Sequence, residues 1–251
     1  MNNLLAIDIG NTRTKWRLHD GIIWQEQGAL DTAQIKALES SLRNNIKFHI
    51  LNKLYISSKD EKSTTASVIQ QLAFTGAKVN LVQATKQQCG VTNHYATPEQ
   101  LGSDRWCALI AARHLHQGSA VVVMAGTAMT VDALTAEGHF LGGIIVPGLS
   151  LMQDSLRNRT ANLRPDTGAY RAFPSHTQDA MHSGIISASL GAIEKMRNTL
   201  VIAGHTDPIC IISGGAASQL APHLASPVMQ IENLVLEGLL QIAKSESAGA
   251  K

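Results

Sequence analysis

The chain is 251 residues long, with 44% hydrophobic residues, 16% charged residues and a formal charge of +2, so it can bury a core as one large domain or two ordinary ones. Aromatics at 4% and scattered lysines and arginines argue against a nucleic-acid binder that works by base stacking or by phosphate neutralisation. No apolar run has the length of a membrane span, and the three cysteines, Cys89, Cys107 and Cys210, form no C-x-x-C pair, so a reducing cytoplasm is expected, with no membrane and no nucleic-acid partner.

Leu4 to Ile9 is an apolar, β-branched run that reads as a buried first strand. It leads into a turn that carries Asp8, Gly10, Asn11 and Thr12. Gly10 lets an anion approach the backbone, Asn11 and Thr12 can donate hydrogen bonds, and Asp8 can hold a hydrated divalent cation beside that anion. The same residues also suit a plain hairpin whose Asp and Asn satisfy their own backbone.

Thr14 to Leu18 alternates as a second strand, Asp20-Gly21 marks a hairpin, and a return strand starts at Ile22. Ile35, Leu38 and Leu42 predict a helix from Thr32 to about Asn44. Ile50 to Ile56 reads as a strand, Asp60 to Phe74 as a helix capped by Asp60 or Ser63, and Lys78 to Val82 as a short strand. Cys89 to Leu101 is loop-like. Gly102-Ser103-Asp104-Arg105 then heads a helix that runs to Leu115, so Ser103 and Asp104 stand at its N-terminus.

From Ser119 the opening pattern returns. Ala120 to Met124 is a buried strand, Ala125-Gly126-Thr127-Ala128 a small-residue turn, and Met129 to Leu134 an outgoing strand punctuated by Glu137-Gly138. This predicts an internal duplication, with domains 1–117 and 118–251, and a phosphate turn from each half facing one nucleotide. Leu141 to Gly148 is a glycine-bracketed strand, followed by a helix to about Arg157 and a loop-rich stretch from Arg164 to Thr177. A long helix from Gln178 to about Ala203 carries Gly184, Ala188 and Gly191, whose small size permits close helix approach and self-association. Pro208 to Ser213 is the last core strand and runs into Gly214-Gly215. A helix from Glu232 to Ala243 closes the fold, and Lys244 to Lys251 is expected to fray.

Neither a P-loop nor a Rossmann fingerprint is present. Taken in order, Asp8-Ile9-Gly10-Asn11-Thr12, Gly102-Ser103-Asp104-Arg105, Gly126 to Asp132, Gly142 to Gly148 and Ser213-Gly214-Gly215 resemble the type III pantothenate kinases, from about Asn3 to Leu240. The resemblance implies an actin-like ATPase fold of two ribonuclease-H-like α/β domains with an interdomain nucleotide cleft. It also implies ATP-dependent phosphorylation of pantothenate to 4′-phosphopantothenate, the first step of coenzyme A biosynthesis, by a homodimer with its pantothenate pocket at the subunit interface.

Carried over by residue, Asp8, Ile9, Gly10, Asn11, Thr12, Arg13, Thr14 and Lys15 would form the first phosphate loop. Asp8 would stand near Mg²⁺, and the amides of Gly10 and Asn11 near the ATP phosphates. Thr127 would hold phosphate from the second half. Gly102, Ser103, Asp104 and Arg105 would meet the substrate, with Asp104 accepting the pantothenate hydroxyl proton and Arg105 gripping the substrate; Tyr95 and Thr177 match further pantothenate contacts. From position alone, Asp104 also suits a helix N-terminal residue satisfying free amides, Tyr95 a loop aromatic covering the core, and Thr177 a helix N-cap.

The family's activating K⁺ or NH₄⁺ is held by an Asp where this chain has Met124, whose thioether is a poor ligand for a hard cation. Two other readings stay open on sequence alone: a regulatory protein built on the same scaffold, acting without direct DNA contact, and a kinase for another small alcohol such as a sugar.

Overall fold

Leu4–Ile9 forms β1, a strand buried on both faces, as its unbroken apolar run predicts. In this computed structural model, which describes residues 3–43, 51–58, 63–159 and 168–249, the chain continues through β2 (Arg13–His19), β3 (Trp24–Asp31), α1 (Leu38–Arg43), β4 (Lys53–Ser58), α2 (Thr64–Leu72) and β5 (Lys78–Leu81). After these come β6 (Gln87–Gln88), β7 (Val91–Asn93), α3 (Ser103–Leu115), β8 (Ala120–Ala125), β9 (Ala128–Leu134) and β10 (His139–Pro147). The last elements are α4 (Leu149–Arg159), α5 (Thr177–Ile202), β11 (Ile209–Ser213), α6 (Ala217–Leu220), β12 (Val228–Gln230) and α7 (Leu234–Gly249).

The chain divides into a first unit, Met1–His114 with Leu234–Lys251, and a second, Leu115–Asn233. In the first, the sheet order is β3-β2-β1-β4-β5, antiparallel from β3 to β1 and parallel from β1 to β5. Leu5, Ile7 and Ile9 point into a core completed by Leu38, Leu42, Val68 and Leu72 of α1 and α2. In the second, the order β10-β9-β8-β11-β12 repeats that plan with the same strand directions. Val121, Val123 and Ala125 of β8 meet Ile186, Ile193 and Leu200 of α5. The duplication expected from the sequence is therefore a repeat of topology.

Several elements differ from expectation. The helix predicted from Thr32 opens as a 3-10 turn, Thr32–Ala37, broken at Gln34 (φ −99°, ψ 20°), because Asp31 accepts a hydrogen bond from the Ala33 amide and tightens the start. Of the two caps foreseen for α2, Ser63 holds the N-cap position and Asp60 lies outside the described residues, as do Asn44 and Ile50. The stretch after Cys89 is no simple loop: β6 and β7 form a hairpin whose turn residues, Cys89 (φ 49°) and Gly90 (φ 77°), both lie in the left-handed region.

The closing segment differs most. It is helical to Gly249, and its helix packs with the first unit, whereas the sequence boundary after residue 117 put it with the second. Leu234, Leu236, Leu239 and Leu240 bury its apolar face, and Gly238 lets it approach α3 so closely that a Cβ there would stand 2.0 Å from the Cys107 carbonyl oxygen. Its polar end does not fray, because Tyr55 donates to Glu246 (2.5 Å) and Lys53 Nζ donates to Ser247 Oγ (2.8 Å). Among the described residues, no helix is long and apolar enough to cross a membrane.

Candidate active site

In the first unit, the β1–β2 turn is fastened from behind. Gly10 N–H donates to the Arg13 carbonyl (3.1 Å), Thr32 N–H donates to the Thr12 carbonyl (2.9 Å), and Thr32 Oγ1 donates to the Gly10 carbonyl (2.8 Å). Thr14 lies inside, fully buried, with its hydroxyl 3.1 Å from that of Thr32. Ile9 is also in the core. Of the residues expected to meet phosphate, Ile9 and Thr14 thus shape the turn, and the Gly10 amide is spent within it. Asn11, Thr12 and Arg13 are the exposed members. Asp8 is half-buried at the strand end, directly abreast of Lys15 on β2 and Ser57 on β4.

Next to β4 stands the N-terminus of α3. Ser103 is buried and turned to that strand, its hydroxyl 3.0 Å from Ser57 Oγ, accepting from the Ser58 amide (3.1 Å) and donating to the Ser58 carbonyl (3.2 Å). Thr65 Oγ1 extends the network to Ser58 Oγ at 2.7 Å. The Ser103 side chain therefore works as a pin between α3 and β4. The next residue, Asp104, lies in the first helical turn, where the helix dipole favours a carboxylate. Its Oδ1 folds back over Gly102, where a Cβ would stand 2.7 Å away, so glycine is what leaves the carboxylate its place.

Asp8 and Asp104 both act on a third group. Burial first, and then the negative charges of Asp8 and Asp104, push the Cys107 thiol well above its ordinary pKa, which makes it an inert core thiol. Arg105 is buried and donates to the Tyr95 hydroxyl (2.9 Å), with its guanidinium 5.7 Å from the Tyr95 ring centre. The next helix residue, Trp106, donates to Gln88 Oε1 of β6 (3.0 Å). Two consecutive side chains of α3 thus tie down the 86–95 segment.

In the second unit, three glycine motifs separated in sequence meet at one turn. Gly148 N–H donates to the Thr127 carbonyl (2.9 Å), and a Cβ on Gly148 would stand 2.1 Å from the Gly126 carbonyl oxygen. Gly214, at φ +108°, approaches Ala125 from β11, and Ala216 N–H donates to the Ala125 carbonyl (3.1 Å). Gly126 itself is exposed. Thr177 is the first residue of α5 and exposed, while His176 holds the N-cap position. Met124 lies between Thr130 and Ser213 in the sheet register, and the buried Thr130 hydroxyl has no hydrogen-bond partner among the described residues.

The family model of type III pantothenate kinases matches residues 4–199. The chain belongs to the type III pantothenate kinase family. A type III pantothenate kinase of Nitrosospira multiformis is 45% identical over 98% of this chain and 93% of its own length, and one of Dechloromonas aromatica is 42% identical over 96% and 98%. Among solved structures, a conserved protein assigned to the Baf family of transcriptional activators from Campylobacter jejuni superposes with a TM-score of 0.61 at 21% identity, covering 97% of this chain and 99% of that one. The ethanolamine utilization protein EutJ from Carboxydothermus hydrogenoformans gives 0.52 at 15% identity, covering 98% and 90%. At these identities the likeness speaks for the fold alone, and that fold is the actin-like ATPase one.

For a type III pantothenate kinase, the Mg²⁺ that accompanies ATP needs oxygen ligands and keeps several waters. The half-buried Asp8 carboxylate suits that demand. Among the described residues, no group of three or more His, Cys, Asp or Glu could cage a metal. The monovalent cation that the resemblance implies fits less well, because Met124 offers sulfur where a hard ion wants oxygen. Thr32, Ser57, Ser58, Thr65 and Asn93 support the site and escaped the sequence reading. Each acts through a partner distant in sequence or through its own backbone turn, and no motif marks such pairs.

Proposed function

We propose that the chain carries out the reaction of its family, transferring the γ-phosphoryl group of ATP to pantothenate to give 4′-phosphopantothenate at the opening of coenzyme A biosynthesis. The family match over residues 4–199 carries the reading, and the glycine-walled turn at Gly126-Thr127 and the carboxylates at Asp8 and Asp104 support it.

Phosphoryl transfer passes through a loose transition state, so the protein mainly aligns the alcohol with the γ-phosphate and neutralises charge. Asp104 accepts the hydroxyl proton late in the transfer and need not be a strong base. Asp8 would hold the Mg²⁺ that accompanies ATP, and that ion would supply neutralisation of phosphate charge. Asn11, Thr12, Arg13 and Lys15 serve as phosphate contacts, and so does Thr127. Tyr95 and Arg105 form a wall for pantothenate, and Thr177 contacts it. Ser103 holds the helix that presents Asp104.

The protein works in the cytoplasm as a homodimer that associates through the α4–α5 face. An apolar groove of about 440 Å³ there is lined by Leu151, Met152, Leu156, Met181, Gly184 and Ile185, a surface of the kind that protein partners cover. Turnover requires neither K⁺ nor NH₄⁺, because Met124 replaces the carboxylate that would hold them.

A coupled assay of purified protein with ATP, Mg²⁺ and pantothenate, with and without K⁺, tests this reading. ATP consumption that depends on pantothenate and not on K⁺ is expected. No turnover in any monovalent salt would overturn the activity, and a strict K⁺ requirement would overturn the cation statement alone.

A further inference from the structure

We infer that Asn93 is a positioning residue for the pantothenate wall, a single buried amide that sets both Tyr95 and the entry to Gly102–Arg105. The inference rests on the pantothenate reading of those residues. Asn93 closes β7 and is fully buried, yet each of its backbone and side-chain polar groups is engaged. Its N–H donates to the Lys86 carbonyl (2.9 Å), and its own carbonyl accepts from Lys86 Nζ (3.0 Å). These bonds fix the residue to the hairpin. The side chain then reaches forward in two directions: Oδ1 accepts from the Tyr95 amide (3.0 Å), and Nδ2 donates to the Pro98 carbonyl (3.1 Å).

Only an amide side chain can do both from this place. It has an acceptor and a donor on one planar group, and in asparagine the acceptor reaches the amide two residues on. The first bond fixes the backbone of Tyr95, whose hydroxyl accepts from Arg105. The second fixes Pro98, whose carbonyl also accepts from the Leu101 amide, immediately before Gly102. Tyr95 and the Gly102–Arg105 segment are thus referenced to one side chain that need not touch substrate. A misplacement of about 1 Å at such a wall can cost up to about 100-fold in rate.

The test compares wild type with Asn93→Ala and Asn93→Asp; the second keeps the acceptor for Tyr95 and loses the donor to Pro98. Both should raise KM for pantothenate by roughly 10-fold to 100-fold while KM for ATP stays within about twofold. In a double-variant cycle with Tyr95→Phe, Asn93→Ala should cost less than it does alone. An equal rise in both KM values, or an additive cycle, overturns the inference. Hydrogen exchange at the Tyr95 amide of the wild-type protein provides a reading that needs no folded variant: protection is expected, and exchange at the rate of an open loop overturns the clamp. Wild type that leaves pantothenate untouched would instead overturn the activity, which the exchange measurement does not address.

Discussion

Gly148 lies so close behind Gly126 that a methyl group on it would stand 2.1 Å from the Gly126 carbonyl oxygen. The Gly126-Thr127 turn of the second unit therefore has a backbone wall, and Gly148→Ala must push the turn outward. Overpacking of this kind costs about 1–3 kcal/mol. The variant should unfold at lower temperature and bind ATP more weakly, whereas Gly215→Ala, with nothing within 4 Å of its Cβ, should keep wild-type thermal stability. Thermal denaturation and nucleotide titration check both; equal stability of the two variants would show that the wall can yield.

Asp104→Asn removes the proposed proton acceptor while preserving size and the helix start. Turnover should fall by about 10²–10⁴-fold, with ATP affinity close to wild type. A variant that turns over normally would leave Asp104 as a residue that serves only the α3 N-terminus.

His19 gives the first unit a pH dependence. Its Nδ1 accepts from the Gly21 amide (2.9 Å), so the folded state needs that nitrogen unprotonated. Burial first, then the positive charge of Lys244, holds the imidazole below its ordinary pKa, with Asp20 opposing and Arg17 adding to the shift. The unfolded chain therefore takes up the proton first as pH falls. The stability contribution is complete above about pH 6.5 and is lost as pH drops from there towards the folded value. Between pH 7.5 and 5.5, wild type should lose more thermal stability than His19→Gln. Parallel losses would assign the effect to other groups.

Gly184 faces open space on α5, with nothing within 4 Å of where its Cβ would be. Gly184→Leu should leave each chain folded, since replacing a helical glycine relieves about 1 kcal/mol of helix cost, but it should block close approach of a second copy. Sedimentation is expected to report a dimer for wild type and a monomer for the variant. A variant that remains dimeric would move the interface elsewhere.

The parts of the fold legible in the sequence were those carried by local pattern. Ala120 to Met124 reads as a buried strand because both its faces are apolar, and Asp8 to Thr12 reads as a turn because its small polar residues interrupt such a run. The duplication showed through two copies of that grammar. What stayed hidden depends on partners far along the chain. Glu246 and Ser247 look like tail residues until Tyr55 and Lys53 appear beside them. Cys89 does not announce a hairpin, since cysteine rarely adopts positive φ. Ser103 belongs to the stretch Gly102–Arg105 that resembles the family's substrate motif, and nothing in that motif shows that its hydroxyl faces Ser57 and Ser58.

The placement of α7 has a consequence for synthesis. The ribosome delivers the second unit as one continuous stretch, Leu115–Asn233, while the first waits for a helix encoded after it. Until Leu234–Gly249 emerges, the apolar surface around β1 and β4 that this helix covers stays open, and Gly238 has not met Cys107. A nascent chain would therefore complete its second unit before its first.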